Sequence, residues 1–243
     1  MVSGMIEVIA FDLDDTLWAV GPIIIKAENR LNSWLFEHAP EIKYDVVGMR
    51  ALRHELLQEE PDLINKITEF RRRIIMRALQ HSDIEDIEAS ELSYQAMTVF
   101  LAARNEIEFF EGAMNAIKKL STRFTLGALT NGNANIRQLG LDRYFSFAFC
   151  AEEVGAPKPA HNLFNKALAH TGTQPHQMVY VGDDPVLDVD SANERGLHTI
   201  WVKNPAKEGP GKTTADEKIE HIKYLPKAVE RLLAKLSHER VGE

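Results

Sequence analysis

Residues 7–20, "EVIAFDLDDTLWAV", decide how the rest of the chain is read. Val8 to Phe11 form a short, unbroken apolar run, the pattern of a parallel strand covered on both faces. The run drives straight into three carboxylates, Asp12, Asp14 and Asp15, with Thr16 close behind. Like charges crowded at the mouth of a buried strand repel one another unless a positive species sits among them. Such crowding predicts a cation at this point, and it requires other segments to deliver matching groups to the same place.

Four later runs share the apolar pattern of the first: residues 124–129, 145–150, 178–181 and 199–202. Helical patterns lie between them, such as "AMNAIKKL", "HNLFNKALAH" and "DVDSANERG". Strands alternating with helices predict an α/β fold, a Rossmann-like parallel sheet wound by right-handed crossovers. Residues 21–109 break the rhythm. They carry helical periodicity in "IIKAENRLNSWLFEH", "MRALRHELLQ", "LINKITEFRRRIIMRAL" and "SELSYQAMTVFLAAR", with hardly any strand signal. The expectation is a core of residues 1–20 and 110–243, interrupted by a helical-bundle cap over 21–109. The stretch "KNPAKEGPGKTTADEK" reads as a polar loop, and "LPKAVERLLAKL" as a final helix packing back on the core.

The bulk properties narrow the class. The 243 residues, 44% apolar, suffice for one large domain with an insertion. A net charge of −8 argues against nonspecific nucleic-acid or anionic-membrane partners, while leaving room for a small anion bound by a local cationic field. Cys150 is the only cysteine, which rules out an intrachain disulfide and fits a reducing compartment. The start, "MVSGMIEV", has no leader pattern and no run is long enough to span a bilayer, so a cytoplasmic protein is expected.

Ligands of open parallel sheets bind beyond the carboxyl ends of the strands, where four polar motifs converge. Asp12 and Asp14 follow strand one, "LTNGN" strand two, "GAPKP" comes after strand three, and "VGDDPVLD" follows strand four. Asp12 is placed to attack phosphorus as a nucleophile, and Asp14 to serve as acid and then base. Thr16 can hold the turn by bonding nearby backbone. The Thr130 hydroxyl and the Asn131-Gly132 amides suit a phosphoryl oxygen. Lys158, stiffened between two prolines, can neutralise the nucleophile and the phosphate. Asp12, Asp183 and the carbonyl of Asp14 would form a magnesium shell, with Asp188 orienting it or Lys158. Each motif alone has a plainer reading: a capping cluster, an Asn-Gly turn, a solvated lysine, an acidic helix start.

As a set, "DLDDT", "LTN", Lys158 and "GDDPVLD" resemble the haloacid dehalogenase superfamily of phosphatases, in order along the whole chain. The resemblance implies a magnesium-dependent phosphomonoesterase with a mobile cap. It implies Asp12 as nucleophile, Asp14 as acid/base, Thr130 and Lys158 as phosphate ligands, and Asp183 as metal ligand. Within the superfamily, "FDLDDTLW", "LTNGN" and "VGDD" look most similar to bacterial flavin-pathway phosphatases, which act on the ribitylaminouracil phosphate intermediate and on FMN. A small phosphorylated metabolite is the implied partner.

Three alternatives have distinguishing features. A 2-haloacid dehalogenase lacks the second aspartate of the first motif, since a departing halide needs no proton. A phosphosugar mutase usually carries a small apolar residue where this chain has Thr16. A noncatalytic phospho-accepting receiver places its acceptor at the end of the third strand and has no large helical insertion. "AKEGPGKT", with Ala206 where a P-loop has its first glycine, reads as a flexible loop. Arg71, Arg72 and Arg73 point in different directions on a helix and read mostly as surface. Trp18 is a candidate to stack on a substrate ring or to pack the core.

Overall fold

The computed structural model describes residues 6–43, 46–207, 209 and 211–241. Residues 1–5, on which the reading of the chain start rests, lie outside the described residues, as do Glu208 and Pro210 of the polar loop. Strand β1 (Val8–Phe11) leads into four long helices, α1 (Val20–His38), α2 (Val46–Glu59), α3 (Ile67–Gln80) and α4 (Asp86–Arg104). The chain continues through α5 (Ala113–Ser121), β2 (Thr125–Thr130), β3 (Phe145–Cys150), α6 (Ala151–Val154) and α7 (Asn162–Thr171). It ends through β4 (Met178–Gly182), α8 (Ser191–Glu194), β5 (His198–Val202), β6 (Glu217–Ile219) and α9 (Leu225–Val241).

Two compact units result. Residues up to Ala19 form one with those from Glu108 onward, and Val20–Ile107 form the other. In the first, six parallel strands lie in the order β3-β2-β1-β4-β5-β6. All four residues of β1 are buried, because it pairs on both sides: Ala10 lies level with Gly127 on β2 and Tyr180 on β4. On one face Val8, Ala10 and Tyr180 join Leu163, Phe164 and Ala167 of α7, so the sheet is held by apolar burial. Gly127 makes room there: a Cβ would fall 2.1 Å from the Phe147 ring.

In the helical unit, Ala27, Leu31 and Leu35 of α1 recur every four residues and pack with Ile75 of α3 and Phe100 of α4. Leu52 and Leu56 of α2 meet Phe70 and Ile74 of α3. Three expectations need correction. The helical run from Leu63 breaks: Pro61–Asn65 is a 3₁₀ turn, and Lys66, at φ −119° and ψ 68°, separates it from α3. The polar stretch after β5 also holds a strand, β6, whose Glu217 and Ile219 are buried while Lys218 is exposed. Of the arginine triplet, Arg72 departs from the surface reading, while Arg71 and Arg73 stay partly exposed. Arg71 pairs with Glu28, Arg72 with Glu69 and Arg73 with Glu60, and Arg72 is buried against the Tyr94 ring. No helix among the described residues is long and apolar enough to cross a membrane.

Candidate active site

The carboxyl ends of β1, β2 and β4 bring the motifs together. Asp12 is the first residue past β1, and its N–H donates to Val181 O (2.9 Å) across the sheet. Its carboxylate Oδ1 accepts from Lys158 Nζ at 2.7 Å. The same ammonium donates to Asp188 Oδ1 (2.6 Å) and to Tyr180 Oη (2.6 Å), so its three hydrogens all have partners. Thr16 does not hold the turn through backbone. Its buried hydroxyl lies 3.3 Å from Asp12 Oδ2 and 3.2 Å from Asp183 Oδ1, bridging the first and last motifs.

Lys158 is delivered by its main chain. Asn131 Nδ2 donates to Lys158 O (3.0 Å) and Lys158 N donates to Asn131 Oδ1 (2.7 Å). The Asn131 side chain therefore ties the second motif to the third, and it is the main-chain amide that is left to face a ligand. Thr130 Oγ1 accepts from Gly132 N (2.9 Å), which leaves its own hydrogen available to donate.

Asp12, Asp183 and Asp188 are buried, with carboxylate oxygens all within 4.8 Å of one another. Asp188 holds its place through Asp184 N, which donates to Oδ2 at 2.9 Å. Asp183 Oδ2 accepts from Asn204 Nδ2 (2.8 Å) and pairs with Lys207 Nζ (2.9 Å), while Trp201 Nε1 donates to its main-chain oxygen (2.9 Å). Burial pushes the Asp12 carboxyl up to about 8; Lys158 pulls it down, and Asp188 and Asp183 push it up again. Burial also raises Asp183, against the pull of Lys207 and Asn204. For Lys158 burial works the other way, yet Asp12 and Asp188 hold its ammonium well above the usual range. These three buried carboxylates are hard oxygen donors close enough together to fit a small divalent cation.

Asp188, expected to orient the shell or Lys158, lies in this carboxylate cluster and bonds Lys158, while the Asp14 side chain accepts from Trp18 Nε1 at Oδ1 (2.9 Å). Trp18 offers no ring face to a substrate. It is 0% exposed and packs edge-on against Phe109, because residues 14 to 18 double back in a turn where Asp15 adopts φ +61° and donates from N to Trp18 O (2.8 Å). Sequence reading also missed Tyr180, Trp201, Asn204 and Lys207. Tyr180 sits inside an apolar run and Trp201 within β5, while Asn204 and Lys207 follow β5 in a stretch read as mobile loop. The near P-loop is filled from within, since Asp190 accepts from Lys212 N (2.7 Å), Thr213 N (2.8 Å) and Thr213 Oγ1 (2.6 Å).

Comparison with known proteins bears on this geometry. The sequence model of haloacid dehalogenase-like hydrolases matches residues 6–196. The chain is 29% identical over 201 residues to the 5-amino-6-(5-phospho-D-ribitylamino)uracil phosphatase YigB of Escherichia coli (strain K12), covering 82% of this chain and 84% of that protein. It is 26% identical to a glyceraldehyde 3-phosphate phosphatase of Pyrococcus furiosus, over 82% of this chain and 81% of that one. A solved structure of a 2-haloacid dehalogenase from Pseudomonas syringae pv. Tomato DC3000 superposes with a TM-score of 0.89 at 36% identity, covering 93% of this chain and 99% of that one.

Proposed function

Because the chain belongs to the haloacid dehalogenase-like hydrolases, we propose that it hydrolyses a small phosphate monoester in two steps through an aspartyl-phosphate. An Asp12 oxygen attacks phosphorus while the ester P–O bond breaks, and Asp14 gives its proton to the departing alkoxide. Asp14 then takes a proton from water, whose oxygen attacks the same phosphorus. The bond to Asp12 breaks, releasing inorganic phosphate and restoring the carboxylate. Lys158, the Thr130 hydroxyl and the Asn131 amide neutralise and orient the phosphoryl oxygens. Asp12, Asp183 and the Asp14 carbonyl would hold Mg²⁺, which supplies further positive charge for those oxygens.

The observation that carries this reading is the pairing of Asp12 with Lys158 at 2.7 Å, beside an Asp14 separately held by Trp18. Likeness to a dehalogenase structure at 36% identity favours a second reading, halide displacement from a 2-haloacid by Asp12. Asp14 weighs against it, because a halide leaves as a stable anion and takes no proton, whereas an alkoxide needs one. The flavin-pathway resemblance and the likeness to the E. coli ribitylaminouracil phosphatase favour that phosphate ester, with FMN as a second substrate. The work takes place in the cytoplasm, where Cys150 stays reduced.

The test is Mg²⁺-dependent phosphate release over a panel of ribitylaminouracil phosphate, FMN, sugar phosphates and nucleotides, with halide release from 2-haloacids in parallel. The expected result is phosphate release with the highest kcat/KM on the flavin-pathway esters, abolished in Asp12→Asn with folding intact. Halide release without phosphate release overturns the reading in favour of the dehalogenase.

A further inference from the structure

Lys158 needs its ammonium held in one place, and the structure offers a group for this that belongs to none of the four motifs. Tyr180 sits in β4, level with Ala10 on β1 and Thr199 on β5, so its place is set by the sheet. It is 1% exposed, and Phe164 packs edge-on against its ring at 5.0 Å. Its hydroxyl donates to Leu129 O at 2.8 Å, the residue before Thr130. With that hydrogen committed, the oxygen faces Lys158 Nζ (2.6 Å) as an acceptor. Burial holds the phenol well above the usual tyrosine range, which keeps the hydrogen in place.

We propose that Tyr180 is a positioning residue for Lys158, fixing its ammonium so that only the N–H to Asp12 is exchanged for a phosphoryl oxygen during turnover. The inference rests on the phosphatase reading for what Lys158 does. The allocation follows from the three partners. Asp188 is pinned by Asp184 N, and Tyr180 by Leu129 O and the sheet. Asp12 alone changes its bonding, since forming the acyl phosphate removes the charge of its carboxylate, which passes to the departing oxygen and, once Asp14 has given its proton, rests on Asp14, while the phosphoryl oxygens keep theirs. The N–H that faced Asp12 then has a better acceptor beside it, while the other two stay. Without Tyr180, a second N–H is unanchored, and the ammonium can turn toward Asp12 or Asp188 and leave the transferring group.

The test compares Tyr180→Phe, which removes only the hydroxyl, with Phe164→Leu, which loosens the same ring without touching a hydrogen bond. The expected result for Tyr180→Phe is a kcat lower by about 10–100-fold with KM within about threefold. At comparable loss of stability, Phe164→Leu keeps a near-wild-type kcat. A second readout is the slowly exchanging ammonium signal of Lys158 in ¹⁵N-edited spectra, expected in the wild type and broadened away in Tyr180→Phe. A Tyr180→Phe protein with kcat within about twofold of wild type and an unchanged signal overturns the proposal, as does an equal kcat loss in Phe164→Leu. If the wild type releases no phosphate from any ester, the phosphatase reading falls by itself. The ammonium signal then still decides whether Tyr180 is the anchor.

Discussion

Replacing Gly182 by alanine tests the packing behind Lys158. Gly182 ends β4, and a Cβ built there would lie 2.4 Å from Cγ and Oδ2 of Asp188 and 2.5 Å from its Cβ. Unstrained contact between such atoms begins near 3.5 Å, so the Asp188 side chain must retreat by about 1 Å. That retreat takes both of its bonds, to Lys158 Nζ (2.6 Å) and from Asp184 N (2.9 Å), beyond hydrogen-bonding range. Deleting one partner of a buried ion pair costs about 3–5 kcal/mol. Because Asp12 and Tyr180 still bond Lys158, about 2–4 kcal/mol is expected here. An ammonium displaced by about 1 Å should also slow turnover by about 100-fold. Urea unfolding reads the first effect and phosphate release the second. A Gly182→Ala protein with wild-type midpoint and turnover would refute the claim that Asp188 is held against a bare backbone.

Other outcomes follow from the same geometry. Asp12 and Asp183 have raised folded-state pKa values, Asp12 about 8, so the metal-free protein keeps a proton that the unfolded chain loses near 4. Its stability therefore falls as pH rises between those values and levels off above about 8. Stabilisation by Mg²⁺, which needs the carboxylates bare, should grow across the same window. Thermal unfolding near pH 6 and pH 8.5, with and without Mg²⁺, checks this, and a metal-free midpoint that rises with pH speaks against it. Trp18→Phe keeps a buried ring but removes the donor to Asp14 at 2.9 Å, so kcat should drop about tenfold with little change in KM; unchanged kcat would dissociate Trp18 from the acid. Asp190→Ala strips three bonds from the loop at Lys212 and Thr213. It should cost about 2 kcal/mol in urea unfolding and speed tryptic cleavage at Lys212; wild-type behaviour in both would show that the loop holds itself.

Much of this architecture was legible because its parts are local. Val8–Phe11 and Met178–Gly182 are continuous apolar runs, and central parallel strands leave such runs behind. Edge strand β6 is three residues long and alternates Glu217, Lys218, Ile219, a pattern that a polar loop also produces. In the site, carboxylates at strand ends announced themselves as unfavourable without partners, whereas partners that come from afar did not. Tyr180 is 22 residues from Lys158, and only the sheet puts its hydroxyl at the ammonium. Asn204 and Lys207 reach Asp183 from a stretch whose proline, glycine and charge suggested mobility. Trp18 was open between stacking on a substrate ring and packing the core; the doubled-back turn at Asp15, which the sequence does not announce, decides for the core.

The chain segments that lead away from the sheet and return to it are themselves joined. Trp18 and Phe109 form an antiparallel bridge, Phe110 N donates to Leu17 O at 2.8 Å, and the two aromatic rings meet edge to face. From the standpoint of the sheet, everything from Val20 to Ile107 is therefore a hairpin connection whose stem is already closed. The cost of closing such a connection rises only with the logarithm of its length. The stem thus makes the helical unit interchangeable. A tight turn, or a bundle of another shape, could join the same two ends while the β1 mouth, Asp12 included, keeps its place. The strand edge that carries Asp12 and the segment closed off by such a stem can then change on separate schedules, one constrained by charge and the other by little more than the spacing of a strand pair.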